Sequence, residues 1–402
     1  MHTFMVPCLL GLEKLVGDEI RRLGLKDVQV ENGRVLCRGK LSDLARLNIN
    51  LRCGARVLLV LGRFPARSFE ELFQGTRAIP WEEYLPRDAA FPVKGYSISS
   101  QLHAVPACQS IIKKAMVERM KARYGLEQFP EDGVKYQVRF SLFKDEAMIC
   151  LDSSGEGLYK RGYRAVGVEA PLRETLAAAM VTLSRFRGRD PFCDPFCGSG
   201  TICIEAALIA LNRAPGLDRS FDAQRWGFVP SGDWLTAAGE AMDKEFHGRY
   251  DIWGGDVDPR AVAIARDNAR KAGVEDVVRF EVADMRNFRR DDTYGQLVTN
   301  PPYGERLLER QEAEALYWLL TGWFRRREPA RVMLLIPARP GCDFAAPAAQ
   351  MLDLRRQLRG AVPIVLCDCG LEGADLRRAR ELTERYDDLL LLTAAEIPDH
   401  LP

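Results

Sequence analysis

The chain has no C-x-x-C pair and only four histidines, His2, His103, His247 and His400. Cys193 and Cys197 are four apart and Cys367 and Cys369 two apart, but neither pair has a second half, so no metal site is expected. The 11 cysteines are odd in number and lie mostly within apolar runs, as at Cys8, Cys37, Cys150 and Cys203. That is the pattern of buried, reduced thiols and predicts a cytoplasmic protein. The net charge is only +1, so any basic surface for a polyanion must be local. No basic segment followed by an apolar run opens the sequence at Met1-His2-Thr3-Phe4, and no apolar run is long enough to span a bilayer. Neither a signal peptide nor a membrane partner is expected. There is no G-x-x-x-x-G-K-[ST] loop. The turn Gly198-Ser199-Gly200 lacks the third glycine of G-x-G-x-x-G, where Cys203 stands, which argues against a nicotinamide or flavin site. Internal repeats and low-complexity tracts are also missing.

What is present is a soluble globular composition, 47% hydrophobic and 28% charged over 402 residues, enough for two or three domains. Residues 1–65 alternate strands and helices in the order βαββαβ. The pair Asn32-Gly33 marks a hairpin and Ser42 is expected to cap a helix, giving a ferredoxin-like module. Residues 66–154 form a second small α/β unit. Its strongest helix, Val105 to Tyr124, turns Ile111, Ile112, Ala115, Met116 and Met120 inward and carries Lys113, Lys114, Arg119, Lys121 and Arg123 on its other face. Lys94 precedes it on a strand. Such a stripe can track phosphates, or simply be a solvated face. A linker and leading helix follow at 155–190, beginning with the Gly- and Tyr-rich basic run that holds Arg161 and Arg164. From 190 onward strands and helices alternate, which predicts a doubly wound parallel sheet, interrupted by an insertion at 213–247.

Ligands bind such sheets beyond the carboxyl ends of the strands. Four predicted strand ends carry polar residues there. Asp194 precedes the glycine turn and can accept from an ammonium group. Asp256 can accept two ribose hydroxyls, and Asp284 can accept from an adenine amine. The fourth end is Thr299-Asn300-Pro301-Pro302-Tyr303. Two prolines stop the strand and hold the Asn300 amide and the following carbonyls rigidly, beside an aromatic ring. That corner can accept the hydrogens of an exocyclic amine and stack its base.

Residues 191–306 therefore resemble class I S-adenosylmethionine-dependent methyltransferases of the Asn-Pro-Pro-Tyr type. Upstream, Phe69-Glu70-Glu71-Leu72-Phe73, Pro92-Val93-Lys94-Gly95 and Val105-Pro106-Ala107-Cys108-Gln109-Ser110 resemble a THUMP domain, an RNA-binding module. The junction Gly155 to Arg164 and Pro171 to Ala177 is similar to that of the bacterial THUMP methyltransferases, the YpsC-like and RlmL-type family. The resemblance implies an α/β chain: ferredoxin-like and THUMP modules, then a Rossmann-like methyltransferase domain over 155–402. It implies S-adenosyl-L-methionine as cofactor. Asp194, Phe196 and Gly198, Ser199, Gly200 and Thr201 would hold its methionine part, Asp256 with Val257 its ribose, and Asp284 with Met285 its adenine. Asn300, also expected among the cofactor-binding residues, would hold the target amine with Pro301 and Pro302, with Tyr303 stacked on the base. Lys94, Lys113, Lys114, Arg119, Lys121, Arg161 and Arg164 would meet RNA.

The implied reaction is methylation of guanine N2 in large-subunit rRNA. tRNA guanine N2, adenine N6, a protein glutamine and an inactive fold serving ribosome assembly stay open. Carbon-5 pyrimidine methylation would need a cysteine nucleophile after the prolines, where Tyr303 stands, and Cys197 is expected to pack rather than react. Beyond residue 340 the family's closing hairpin is replaced by Ala361 to Cys369 and a charged helix at 374–385.

Overall fold

The computed structural model describes residues 1–125, 128–164, 172–287 and 295–300, together with segments 331–338, 364–368, 377–379, 381–382 and 389–393. The expected Pro301, Pro302 and Tyr303, Pro171 and much of the charged helix expected at 374–385 lie outside the described residues.

The first half follows the predicted order: β1 (His2–Pro7), α1 (Glu13–Arg22), β2 (Lys26–Glu31), β3 (Arg34–Gly39), α2 (Asp43–Asn50) and β4 (Leu58–Pro65), then α3 (Phe69–Ala78), β5 (Val93–Ile98), α4 (Val105–Tyr124), β6 (Val138–Phe143) and β7 (Glu146–Asp152). Gly33 takes φ +73 in the β2–β3 hairpin, as Asn-Gly turns require. The two modules share one sheet in the order β2-β3-β1-β4-β7-β6-β5, because β4 pairs antiparallel with β7 from Leu58↔Asp152 to Pro65↔Glu146. One expectation fails locally. Ser42 makes no side-chain cap bond to α2; the Asp43 carboxylate instead accepts the Lys40 N–H at 2.8 Å.

The second half comprises α5 (Glu174–Leu183), β8 (Phe192–Asp194), α6 (Thr201–Ala210), α7 (Ser231–Met242), β9 (Ile252–Asp256), α8 (Pro259–Lys271), β10 (Val278–Val282), β11 (Gln296–Thr299), β12 (Arg331–Ala338), β13 (Ile364–Asp368) and β14 (Leu389–Thr393). Its sheet runs β10-β9-β8-β11-β12-β13-β14, and every pairing is parallel. The last two strands, β13 and β14, continue the parallel order. Strand order reverses between β8 and β11, so the crevice lies where Asp194 and Asn300 emerge.

The linker is held closely. Arg219, from the insertion, donates to the carbonyls of Ser154, Glu156, Gly157 and Lys160 at 2.6–3.3 Å. Trp226 of the same insertion stacks on Tyr136 at 5.4 Å and donates to the Lys135 carbonyl. The insertion therefore serves as a clamp between the halves, and its aromatic residues are packing groups.

Candidate active site

The glycine turn is built from two different demands. Gly198 has φ +51, and a Cβ placed on it would meet nothing within 4 Å. Gly200 has φ +83, and its Cβ would come 2.7 Å from the Phe280 ring and 2.9 Å from Ala265. Gly198 thus leaves an open cradle, whereas Gly200 lets α6 start against α8 and β10. Gly200→Ala should lower stability by about 2–3 kcal/mol, through strain and overpacking together. Gly198→Ala should cost about 1 kcal/mol, since it meets only the backbone strain. Thermal melts of the two variants distinguish these costs, and a larger loss at Gly198 would reverse the assignment.

Around this turn the strand-end carboxylates are fixed by backbone groups. Asp194 is 1% exposed; its Oδ1 accepts from the Phe196 N–H at 3.1 Å and the Thr299 hydroxyl at 2.5 Å. Burial, with Asp256 nearby, pushes its carboxyl up to about 7 despite these bonds. Asp256 accepts the Gly198 N–H at 2.9 Å and the Asp258 N–H at 3.0 Å, with Val257 exposed beside it. Asp284 is paired with Arg286 at 2.8 Å, which holds its carboxyl below the usual range, and Met285 beside it is buried. Ser199 and Thr201 are buried behind the turn, and Asn268 donates to the Ser199 carbonyl at 3.0 Å. Asn300 follows β11, partly exposed.

Asp194, Gly198, Asp256 and Asn300 are therefore gathered at the carboxyl ends of β8, β9 and β11, with Asp284 after the neighbouring β10. Thr299 was not anticipated. As a β-branched residue it reads as ordinary strand filler, and only its place between Asp194 and Asn300 marks it. Cys197 is 6% exposed with its N–H bound to the Gly255 carbonyl, and burial pushes its thiol up, so it packs as expected.

The basic residues divide sharply. Lys94, Lys114 and Lys121 are exposed, and Lys114 and Lys121, seven apart on α4, share one face. Lys113 instead pairs with Glu131 at 2.5 Å and lies over the Phe91 ring, and Arg119 is held by Glu82 at 2.7 and 3.0 Å. A charge count along one helix does not see acids on neighbouring elements. The assignment of Arg161 and Arg164 to an RNA surface is corrected outright. The Arg161 side chain is 2% exposed, donating to the Leu158 carbonyl at 2.7 Å beside the fully buried Glu205. Arg164 turns inward to the Leu172 carbonyl, Thr201 and Glu174. Buried carboxylates on α5 and α6 need cationic partners, and the linker supplies them.

Among the described residues no group of three potential metal-ligating side chains occurs, and no helix is long and apolar enough to cross a membrane.

The strand order and the glycine turn between carboxylate-bearing strand ends define a class I, S-adenosylmethionine-dependent methyltransferase. The chain belongs to the family of THUMP-domain methyltransferases that includes Bacillus subtilis YpsC, to which it is 42% identical over 79% of this chain and 83% of that protein. The RlmL ferredoxin-like domain matches residues 3–58, the THUMP domain 66–152 and the RMKL-like methyltransferase domain 161–355. Ribosomal RNA large subunit methyltransferase K/L of Psychromonas ingrahamii is 35% identical over 79% of this chain. The chain spans only 43% of that protein. Among solved structures, SMU.472 in complex with SAH is 42% identical with a TM-score of 0.77, covering 82% of this chain and 88% of that one. A structure titled as a predicted N6-adenine-specific DNA methylase from Listeria monocytogenes is 44% identical with a TM-score of 0.79, over 82% and 87% of the two chains.

Proposed function

We propose that this protein transfers a methyl group from S-adenosylmethionine to an exocyclic base amine of RNA, with guanine N2 of large-subunit rRNA as the target. The observation that carries the reading is the pairing of Asp194 with the Thr299 hydroxyl at 2.5 Å, which sets this protein carboxylate beside the strand that ends at Asn300. The residues present fit the cofactor. Gly198 leaves a cradle that a side chain would fill, and the carboxylates Asp194, Asp256 and Asp284 stand around it. In this reading Asp194, Phe196 and the 198–201 turn hold the amino-acid end. Asp256 and Val257 hold the ribose, and Asp284 and Met285 the adenine, which requires exposed Arg286 to swing aside.

Bound S-adenosylmethionine supplies an electrophilic methyl group on a sulfonium. The Asn300 side-chain oxygen, with the Pro301 carbonyl, accepts the hydrogens of the target amine and so turns the nitrogen lone pair toward the donor side of the crevice. Positioning of this kind supplies much of the acceleration in a transfer that needs no covalent enzyme intermediate. An amine inside a helix cannot reach the crevice, so the target base is unpaired or flipped out, with Tyr303 stacked on it.

RNA is supported over DNA by the THUMP match and by the name of the K/L relatives; the name of YpsC gives RNA only provisionally. The Listeria structure favours a second reading, adenine N6. Guanine N2 rests on the family resemblance. Digestion and mass spectrometry of total rRNA and tRNA from a deletion strain decides the matter. Loss of N2-methylguanosine from 23S rRNA is expected, and loss of an N6-methyladenosine instead would replace the proposed base.

Lys94, Lys114 and Lys121 are the proposed phosphate contacts. The triple change to Gln should weaken RNA binding regardless of sequence and lower the slope of log affinity against log salt by about 2, since each lost phosphate contact removes roughly 0.7–0.9. Donor affinity, measured in parallel, should not move.

A further inference from the structure

Arg164 leaves the linker one residue after Tyr163 and turns into the methyltransferase half. Its side chain is 17% exposed. Nη2 donates to the Thr201 hydroxyl at 2.9 Å and the Leu172 carbonyl at 2.7 Å, and Nε lies 3.2 Å from Oε1 of the buried Glu174. Thr201 is the first residue of α6, directly after Gly200. One guanidinium therefore ties the end of the linker, the start of α5 and the start of the helix that follows the glycine turn.

The buried Glu174 calls for a cation here, but that cation also stands at the start of α6. A cation at the amino-terminal end of a helix opposes the helix dipole, and a neutral amide could donate to Thr201 equally well. Glu174 balances the charge from the α5 side only. On the turn side, the Arg164 cation and the amino-terminal end of the α6 dipole both bring positive potential to Thr201. Asp194, at the other end of the same turn, is a carboxyl group. A ligand with a carboxylate and an ammonium on one carbon matches that polarity. Thr201 Oγ1 accepts from Arg164 and lies 3.5 Å from the Ser199 hydroxyl, with which it can share its own hydrogen.

We propose that Arg164 is a positioning residue for the amino-acid end of the methyl donor, acting through Thr201 and through its charge at the start of α6. The proposal rests on the placement of that end at the 198–201 turn given above. It makes the linker part of the donor site as well as a connection to the THUMP half.

The test is calorimetric titration of the full chain with two ligands: S-adenosylhomocysteine, and 5′-methylthioadenosine, which keeps the nucleoside and sulfur but has no amino-acid end. Arg164→Gln should weaken the first about tenfold or more and the second less than about twofold, because only the amino-acid end depends on the oriented Thr201 hydroxyl and the charge behind it. Arg164→Lys retains the charge without the forked contact and should lose only about threefold on the first ligand. It also carries the comparison if the Gln variant does not fold. Equal weakening of both ligands marks a purely structural role and overturns the proposal, as does no change in either. Failure of the unmodified chain to bind S-adenosylhomocysteine would instead sink the cofactor placement itself.

Discussion

Asn300→Ala should abolish most methyl transfer while leaving the donor bound. Removing one oriented polar group from a preorganised site typically costs two to three orders of magnitude in kcat, and that is the loss expected here in single-turnover transfer to RNA. S-adenosylhomocysteine affinity should change by less than about threefold, because Asp194, Asp256 and the glycine turn are untouched. Asn300→Asp offers acceptors of the same shape and should keep activity within about tenfold of the unmodified chain. It needs no hydrogen donor to do so, since the proposed task at this position is to accept. If Asn300→Ala transfers at the normal rate, the side-chain amide is not what orients the target amine. A large loss of donor affinity in the same variant would move Asn300 from the acceptor half of the crevice to the donor half.

Much of this crevice is legible in the chain itself. Strand ends announce themselves by an apolar run meeting a residue that cannot continue the strand, and Asp194, Asp256 and Asn300 are found in that way. The order of elements gives the parallel sheet, and the strand ends give the residues of the crevice; its place at the reversal between β8 and β11 comes from the strand order of the folded sheet. What is not legible depends on contacts between distant segments. Lys113 and Arg119 look like part of a phosphate-tracking stripe until Glu131 and Glu82 come across from other elements to meet them. Arg161 and Arg164 look like surface because they stand among Gly and Tyr. The partners that draw them inside, Glu205 and Glu174, lie on helices later in the chain. The shared sheet is hidden for the same reason. β4 and β7 are separated by about 80 residues, and no local pattern tells one exposed strand edge that another will pair with it.

Asp194→Asn should uncouple donor binding from pH and stabilise the free protein at the same time. In the free chain, burial raises this carboxyl to about 7 from an ordinary 3.8. The neutral form therefore prevails below neutrality, and an ammonium ligand must find it ionised. Donor affinity should rise between pH 6 and 8, and binding at pH 7 should release part of a proton, because the ammonium pulls the carboxyl back down. Titration in buffers of different ionisation heat reads that release directly. In Asp194→Asn the release should vanish, the affinity should no longer rise with pH, and at pH 8 it should be about 30- to 100-fold weaker, as expected for one lost charge-assisted bond.

The stability effect has the opposite sign. A carboxyl whose folded value lies above its unfolded value contributes stability that is complete below about 4 and is lost as pH rises through about 7. At pH 8 the free protein therefore carries a buried charge that the Asn variant lacks, a penalty on the order of 4 kcal/mol at most. The variant should melt higher than the unmodified chain at pH 8 and no higher at pH 5, measured without ligand. Adding S-adenosylhomocysteine should reverse the ranking at pH 8, since only the carboxylate gains a partner. If the variant melts lower at pH 8 without ligand, Asp194 is holding the fold through Thr299 and Phe196 more than it is waiting for an ammonium group.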